Sequence, residues 1–157
     1  MSTPAPKITE LQALAKTALL ANSYYSAKEV EVVDHRGLSN DTVEEHIRNK
    51  GACVIVCPIT NIKTRDQAGK GWIVDCEIMV KLRINQDVNS DTSKGGKEVD
   101  MYSLISATIS ALCSYRRHPG GEFFKAGGMG DATVATLSTF DAGLWSYDML
   151  FTKEAVA

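Results

Sequence analysis

WIVDCEIMVKLRI, residues 72–84, carries an apolar side chain at every even position. The odd positions include Asp75, Glu77, Lys81 and Arg83. Successive side chains of a strand point to opposite faces, so this pattern predicts a β-strand with one apolar face. A strand of this length extends about 43 Å, more than a small sheet needs, and we expect part of it to project beyond the body as a ribbon.

The preceding segment 52–59 is apolar on both sides of a predicted strand, because Val54 and Val56 alternate with Cys53 and Ile55. This pattern is typical of a central strand that is covered on both faces. The valine-rich segment 28–34 predicts a shorter strand before it. A turn at 34–41 and a short polar helix over 42–49 complete the prediction for this part of the chain.

Two further segments have helical periodicity. Residues 8–22 predict an amphipathic first helix, with Thr9 available as a cap. Residues 98–114 predict a second helix, whose positive N-terminal end suits the acidic Glu98 and Asp100. The stripe that we expect to face the core consists of Tyr102, Ile105, Ile109, Leu112 and Cys113, widened by Met101, Leu104 and Thr108.

The end of the chain, with TFDAGLWSYDML at residues 139–150, predicts a strand pair over 133–140 and 144–153. Asp141-Ala142-Gly143 has the composition of a three-residue hairpin loop, a type I turn followed by a left-handed glycine. Pairing Phe140 with Leu144 then sets one largely apolar face against one polar face. The expected pairs on the apolar face are Leu137 with Tyr147 and Ala135 with Met149, joined by Trp145 and Phe151.

These elements predict an α+β fold. We expect a mostly antiparallel or mixed sheet of about four to five strands, with two main helices packed on one face. The length of 157 residues indicates a single domain over 1–157, which can bury about 70% of its unfolded surface. Residues 1–7 are expected to form a flexible lead. The polar segment 86–97 and the glycine-rich segment 115–131 are expected to be exposed loops, the first of them mobile.

Composition excludes several classes of protein. A hydrophobic content of 44%, with 23% charged residues, is typical of a globular protein rather than a disordered chain. The net charge of -2 argues against a protein whose main task is to coat nucleic acid. The longest apolar run, 52–57, is too short to cross a bilayer, so we expect no membrane contact. Four cysteines within apolar segments indicate buried, reduced thiols in the cytosol.

No motif predicts catalysis, a cofactor or a metal. Asp34 and His35 could form a carboxylate–imidazole pair, but adjacent residues at a strand end point apart, which favours a polar turn. For His46 and His118, too, an ordinary polar position is favoured over a catalytic role. Cys53 and Cys57 would lie about 13 Å apart on a strand, too far to share a zinc ion. The glycine clusters lack the spacing of a phosphate-binding loop, and no serine or cysteine stands in a nucleophile elbow.

The DAGLWS stretch, Asp141-Ala142-Gly143-Leu144-Trp145-Ser146, resembles the segment that introduces the final strand in tail terminator proteins of long-tailed bacteriophages, the minor tail protein U-like family. The order of predicted helices and strands also fits that family. The resemblance implies a non-enzymatic virion protein of the tail and neck, assembled in the host cytoplasm. Its subunits form a ring, usually of six copies, that caps the tail tube, stops its growth and offers a docking surface to the head.

The implied partners are further copies of the chain, the tail tube protein, and a head–tail connector or head-completion protein, with DNA passing through the lumen without specific binding. Subunits of a ring meet head to tail through two different surfaces. We expect the loops and the over-long strand 72–84 to supply those surfaces. The candidate contact residues are Asp87, Asp91, Lys94, Lys97, Arg116, Arg117, Phe123 and Phe124.

Two alternatives stay open at this point. One is another phage neck, head–tail connector or tail-completion protein of similar fold, because fold alone does not determine function. The other belongs to a different class, a small cytosolic ligand-binding domain or enzyme that uses Asp34 and His35.

Overall fold

The computed structural model describes residues 5–34, 51–69, 71–113 and 124–157. A 3₁₀-helix at Ile8–Glu10 leads into the first α-helix, and a second one at Thr92–Lys94 follows the third. The elements in chain order are α1 Leu11–Leu20, α2 Ser23–Ala27, β1 Glu31–Asp34, β2 Ala52–Ala68, β3 Gly71–Asn85, α3 Gln86–Asn89, α4 Met101–Cys113, β4 Lys125–Ala126, β5 Ala135–Asp141 and β6 Leu144–Val156. The turn predicted at 34–41, apart from Asp34, and the helix predicted over 42–49 lie outside the described residues.

The described strands form one mixed sheet in the order β1-β2-β3-β6-β4, with β5 also paired to β6. β1 runs parallel to β2, and the other pairs are antiparallel. The predicted α+β class, with two main helices on one face of a mixed sheet, is therefore confirmed. The sheet has six strands rather than five because a two-residue strand, β4, adds to the edge of β6.

The strand predicted at 72–84 is the middle of this sheet, β3. Its even positions from Val74 to Ile84 are buried, as their alternation predicts. The strand does not project as a free ribbon, however. β3 is paired to β2 as far as Gly71 and to β6 as far as Ile73, so its excess length lies within the sheet. The exposed extension belongs to β2, which was predicted to end at 59 but continues to Ala68.

Helices α1 and α4 cover one face of the sheet, hereafter the helix face. In α1, Leu11, Ala15 and Leu19 are fully buried, as the predicted stripe requires. α4 is rotated relative to the prediction. Its buried residues are Met101, Leu104, Ala107, Thr108, Ala111 and Leu112, whereas Tyr102 faces outward. The aromatic neighbours of Tyr102, described below, explain why a large apolar side chain is stable there.

The opposite face of the sheet, the outer face, has its own small apolar cluster. Val33, Cys53 and Ile55 are buried there, and Cys57 packs against them. On the other side of the same strand, Val54 and Val56 belong to the main core. The prediction that the start of β2 is covered on both faces is thus confirmed for Ala52 to Val56.

The terminal hairpin differs from its prediction in the turn and agrees with it further along. Asp141 pairs with Leu144, which leaves a two-residue turn of Ala142 and Gly143 with φ of 51° and 82°. Two successive positive φ values define a type I′ turn, whose twist matches that of the strands. Phe140 consequently pairs with Trp145 instead of Leu144.

A bulge at Ser138 restores the predicted register. Between Leu137 and Thr139 the register shifts by one residue, so Leu137 lies opposite Tyr147 and Ala135 opposite Met149, as expected. Because a bulge adds one residue to one strand, it offsets the residue that the shorter turn removed.

Both chain ends of the described body are fixed to the same strand. β6 continues through the final segment to Val156, beyond its predicted end at 153. Its Val156 N donates to Pro6 O at 2.9 Å, and Lys7 forms a parallel bridge with Val156. Pro6 and Lys7 therefore belong to the sheet, which corrects the prediction of a flexible lead for these two residues.

Candidate assembly surface

Four aromatic rings meet at the surface where α4 begins and the β5–β6 hairpin turns. The centroid of Tyr102 lies 5.4 Å from that of Trp145 and 6.4 Å from that of Tyr147. The ring of Phe140 contacts Trp145 edge to face at 5.9 Å. Tyr102 is 62% exposed and Phe140 is 73% exposed, so this aromatic cluster presents large apolar side chains to solvent.

The Ser138 bulge places Leu137 beside the aromatic cluster. Residues directly opposite in a sheet share a face, so Phe140 lies on the face of Trp145, and Leu137 on the face of Tyr147. An unbulged strand would put residues 137 and 140 on opposite faces. Leu137 is 51% exposed, and it extends the apolar surface along the edge of the sheet.

The turn of the DAGLWS stretch is held against the start of α3. Gly143 O accepts a hydrogen bond from Gln86 N at 2.8 Å. A Cβ on Gly143 would lie 3.3 Å from Asp87 Oδ2, so the Asp87 carboxylate packs beside the turn. The turn of the DAGLWS stretch and the candidate contact residue Asp87, which are distant in sequence, are therefore neighbours at one end of the molecule.

The segment 86–97, predicted as a mobile exposed loop, contains α3 and a 3₁₀-helix instead. Its anchor is the buried Asn89, whose Nδ2 donates to Val99 O at 2.8 Å while its Oδ1 accepts from Val99 N at 2.9 Å. Gly96 packs so closely on Val88 O that a Cβ there would lie 2.0 Å from it. One buried amide and one close glycine contact thus give this polar segment a defined shape.

Three candidate contact residues of this segment are engaged within the chain. Asp91 caps the 3₁₀-helix through Ser93 N, and Lys94 Nζ lies 3.9 Å from its carboxylate. The hydrogen bonds from Ser93 lower the pKa of Asp91. Lys97 Nζ lies 2.5 Å from Glu29 Oε2. These pairs are exposed, so they contribute little to stability and their side chains remain available at the surface.

Phe124 is not a surface residue. It is 1% exposed, belongs to the main core, and its N–H donates to Leu112 O at 2.9 Å. The ammonium of the buried Lys153 lies 6.0 Å from the centre of its ring. The prediction of Phe124 as an assembly contact is therefore replaced by a role in fixing the chain after α4. Arg116, Arg117 and Phe123 lie outside the described residues.

The outer face of the sheet carries charged side chains that are joined by ion pairs and hydrogen bonds. Arg65 binds Asp75 at 2.6 Å and Glu154 at 2.9 Å across three strands. Glu77 Oε2 accepts from Met129 N at 2.9 Å, and its Oε1 accepts from Asn61 Nδ2 at 2.9 Å. The Met129 hydrogen bond is the largest cause of the lowered pKa of Glu77. This carboxylate attaches the 127–131 loop to the sheet.

The described residues offer no group of three metal-ligating side chains. Asp34 ends β1, and His35, His46 and His118 are outside the described part of the chain. Burial raises the pKa of the Cys57 thiol and raises that of Cys113 to about 11, so both are protonated at neutral pH. No helix in 5–34, 51–69, 71–113 or 124–157 is long and apolar enough to cross a membrane.

Comparisons with known proteins give a structural match alone. No family model matches the sequence, and no curated protein matches it. Among solved structures, the fold is similar to a chain of the "Virion of native gene transfer agent (GTA) particle". The match has a TM-score of 0.56 and covers 94% of this chain and 95% of that chain, at 13% sequence identity. The two chains therefore share a fold nearly from end to end.

Proposed function

We propose that the chain is a structural protein of a phage-like virion, and that within the virion it is the ring-forming tail terminator at the neck. In this role it caps the tail tube, stops tube elongation and provides the surface to which the head docks. The end-to-end fold likeness to a chain of a gene transfer agent virion carries the proposal. The DAGLWS resemblance to tail terminators supports the finer assignment independently.

The described surface is compatible with assembly. The aromatic cluster and Leu137 form an apolar surface beside exposed polar and charged residues of the 86–97 segment. Clustered exposed aromatic residues are enriched at protein interfaces, where they contribute much of the binding energy. The motif residue Trp145 lies within that cluster, so the resemblance and the surface coincide at one place.

Deletion of the gene from the genome that encodes it tests the proposal. Without a terminator, tube polymerisation has no stop, so electron micrographs are expected to show tails of abnormal, variable length that lack heads. A plasmid copy should restore uniform, head-joined tails. Normal-length tails that fail to join heads would assign the chain to a connector or another neck role, and normal particles would contradict a virion function altogether.

A further inference from the structure

Each end of the sheet has one covered edge and one edge that no described residue covers. At the turn end, β1 covers β2 over Cys53 to Val56, whereas the outer side of β5 has no strand partner within the described ranges. At the other end, β4 and Lys7 cover β6. There the outer edge of β2, over 59–68, is unpaired among the described residues. The two open edges therefore lie diagonally across the sheet.

Both open edges are accessible and have matching faces. Residues 60–67 of β2 are all exposed. Ile62 lies opposite Cys76 on the helix face and is 53% exposed, and Leu137 is a comparably exposed apolar residue on the helix face of β5. Lys63 and Thr136 lie on the outer face of the two strands. β5 has no charged residue before Asp141, so pairing the edges opposes no like charges.

The strand directions are also compatible. β2, β3, β6 and β5 alternate in direction across the sheet, so β5 runs opposite to β2. Rotational symmetry keeps all copies in the same orientation and their helix faces on the same side. The β5 edge of one copy then meets the β2 edge of the next in an antiparallel sense, with apolar side chains on one face and polar side chains on the other.

We propose that β5 of each subunit pairs antiparallel with the 59–68 part of β2 of the next copy, and that this joint continues the sheet around the ring. The proposal rests on the ring-forming function proposed above. It assigns the partner of the β5 edge as a second copy of this chain. Setting Ile62 beside Leu137 also sets Lys63 beside Thr136, which defines the register.

The diagonal offset has the size that a closed ring of tilted strands needs. Leu137 is level with Leu82 through Tyr147, while its proposed partner Ile62 is level with Cys76, so the joint is offset by about 20 Å along β3. Four strand spacings separate successive β2 strands, which is about 19 Å across the sheet. The strands would tilt by about 46° from the ring axis, close to the 35–45° of closed barrels.

Cysteine pairing tests this joint. The double variant Lys63→Cys/Thr136→Cys is oxidised and separated on a non-reducing gel, as purified protein and after incubation with tail tubes. Directly opposite residues lie within the Cα separation that a disulfide accepts. Within one chain, three strand spacings, about 14 Å, keep the two positions apart. We therefore expect a ladder of covalent multimers that disappears on reduction.

The matched control is Thr64→Cys/Thr136→Cys. Thr64 lies opposite Val74 on the helix face, whereas Thr136 is on the outer face, so this pair should give no ladder. Each single variant and the parent chain, with its native cysteines, should also stay monomeric on the gel. A covalent dimer from Thr136→Cys alone would show a symmetric β5–β5 contact and overturn the proposal.

Absence of a ladder from Lys63→Cys/Thr136→Cys under both conditions would equally overturn the joint. The cysteine-pairing experiment tests the joint, whereas the gene deletion tests the function, so failure of one can be distinguished from failure of the other. If the double cysteine variant gives a ladder but deletion of the gene leaves tails normal, the joint is supported and the terminator function is contradicted. Tails of uncontrolled length after gene deletion, together with no ladder from the double cysteine variant, would support the function and reject this joint.

Discussion

Replacing Glu77 with glutamine tests how the outer face of the sheet holds the 127–131 loop. The carboxylate accepts three hydrogen bonds, from Met129 N at 2.9 Å, Asn61 Nδ2 at 2.9 Å and Thr60 Oγ1 at 3.0 Å. Glutamine keeps the shape but has one acceptor oxygen, and its NH₂ group must face a donor. Hydrogen bonds to a charged group contribute about 1.5–3 kcal/mol, and partial exposure reduces this, so we expect Glu77→Gln to lower the unfolding free energy by about 1–2 kcal/mol.

The pH dependence gives the same test a second readout. Because the folded-state pKa of Glu77 lies below its usual value, the unfolded state binds this proton more readily as pH falls. The stabilisation is therefore complete above the unfolded glutamate pKa of about 4.3 and is lost as pH falls through the folded pKa. Denaturant unfolding of wild type and Glu77→Gln at pH 7 and in steps down to pH 3 measures this difference directly.

Glu154→Gln is the matched control. Glu154 lies on the same face and pairs with Arg65 at 2.9 Å, but both side chains are substantially exposed. Exposed ion pairs contribute about 0–1 kcal/mol, so this variant should differ little from wild type. Equal unfolding free energies for wild type and Glu77→Gln at pH 7, or a difference that persists unchanged at pH 3, would refute the reasoning.

Three further variants test particular contacts. In Gly128→Ala, the new Cβ would lie 2.6 Å from Glu77 Oε2 and displace the carboxylate, so its effect on unfolding should be largely absent in a Glu77→Ala background, where that side chain is truncated. Ala142→Asn should raise the unfolding free energy by about 0.5–1 kcal/mol, because asparagine accepts the left-handed φ of 51° that costs alanine energy. Phe124→Ala should lower it by about 3–5 kcal/mol, as expected for a fully buried phenylalanine.

Denaturant unfolding curves measure all three effects. Additive losses in Gly128→Ala and Glu77→Ala would mean that the glycine does not act through the Glu77 side chain. A destabilised Ala142→Asn would argue against the type I′ turn. A Phe124→Ala protein with unchanged stability but defective assembly would indicate that Phe124 is an assembly contact and not a core residue.

The alternation of β3 and the apolar character of β2 were sufficient to predict the core of the sheet. Alternation reports which face is buried, and in a half-buried strand this signal is strong. It does not report what lies at the edges. Residues 60–67 of the β2 extension are exposed and mostly polar, and long-range pairing with β3 rather than local composition keeps the extension in the sheet.

The hairpin shows how a local error can leave a longer-range prediction intact. Asp-Ala-Gly favours a three-residue loop by composition, since alanine is an unusual choice for positive φ. The structure has a two-residue turn and a compensating bulge at Ser138, so Leu137 still meets Tyr147. The hydrophobic pattern constrained the pairing far from the turn more strongly than the turn residues constrained the loop.

The aromatic cluster was only partly accessible from sequence. Helical periodicity placed Tyr102 on the buried stripe of α4, because a hydrophobic pattern does not distinguish a core from an exposed apolar surface. The exposure of Phe140 was predictable from the sequence, because a large apolar residue next to a hairpin turn has few buried neighbours available. The shape of the 86–97 segment depends on one amide, Asn89, whose partners at Val99 cannot be inferred from composition.

The position of the chain within a particle tests the account most directly. A tagged copy that restores uniform, head-joined tails can be located by electron microscopy of gold-labelled, purified particles. The account predicts label at the junction of tail and head, on every particle and at no other place. Label along the whole tail, on the head shell, or absent from particles whose production still requires the gene would contradict it.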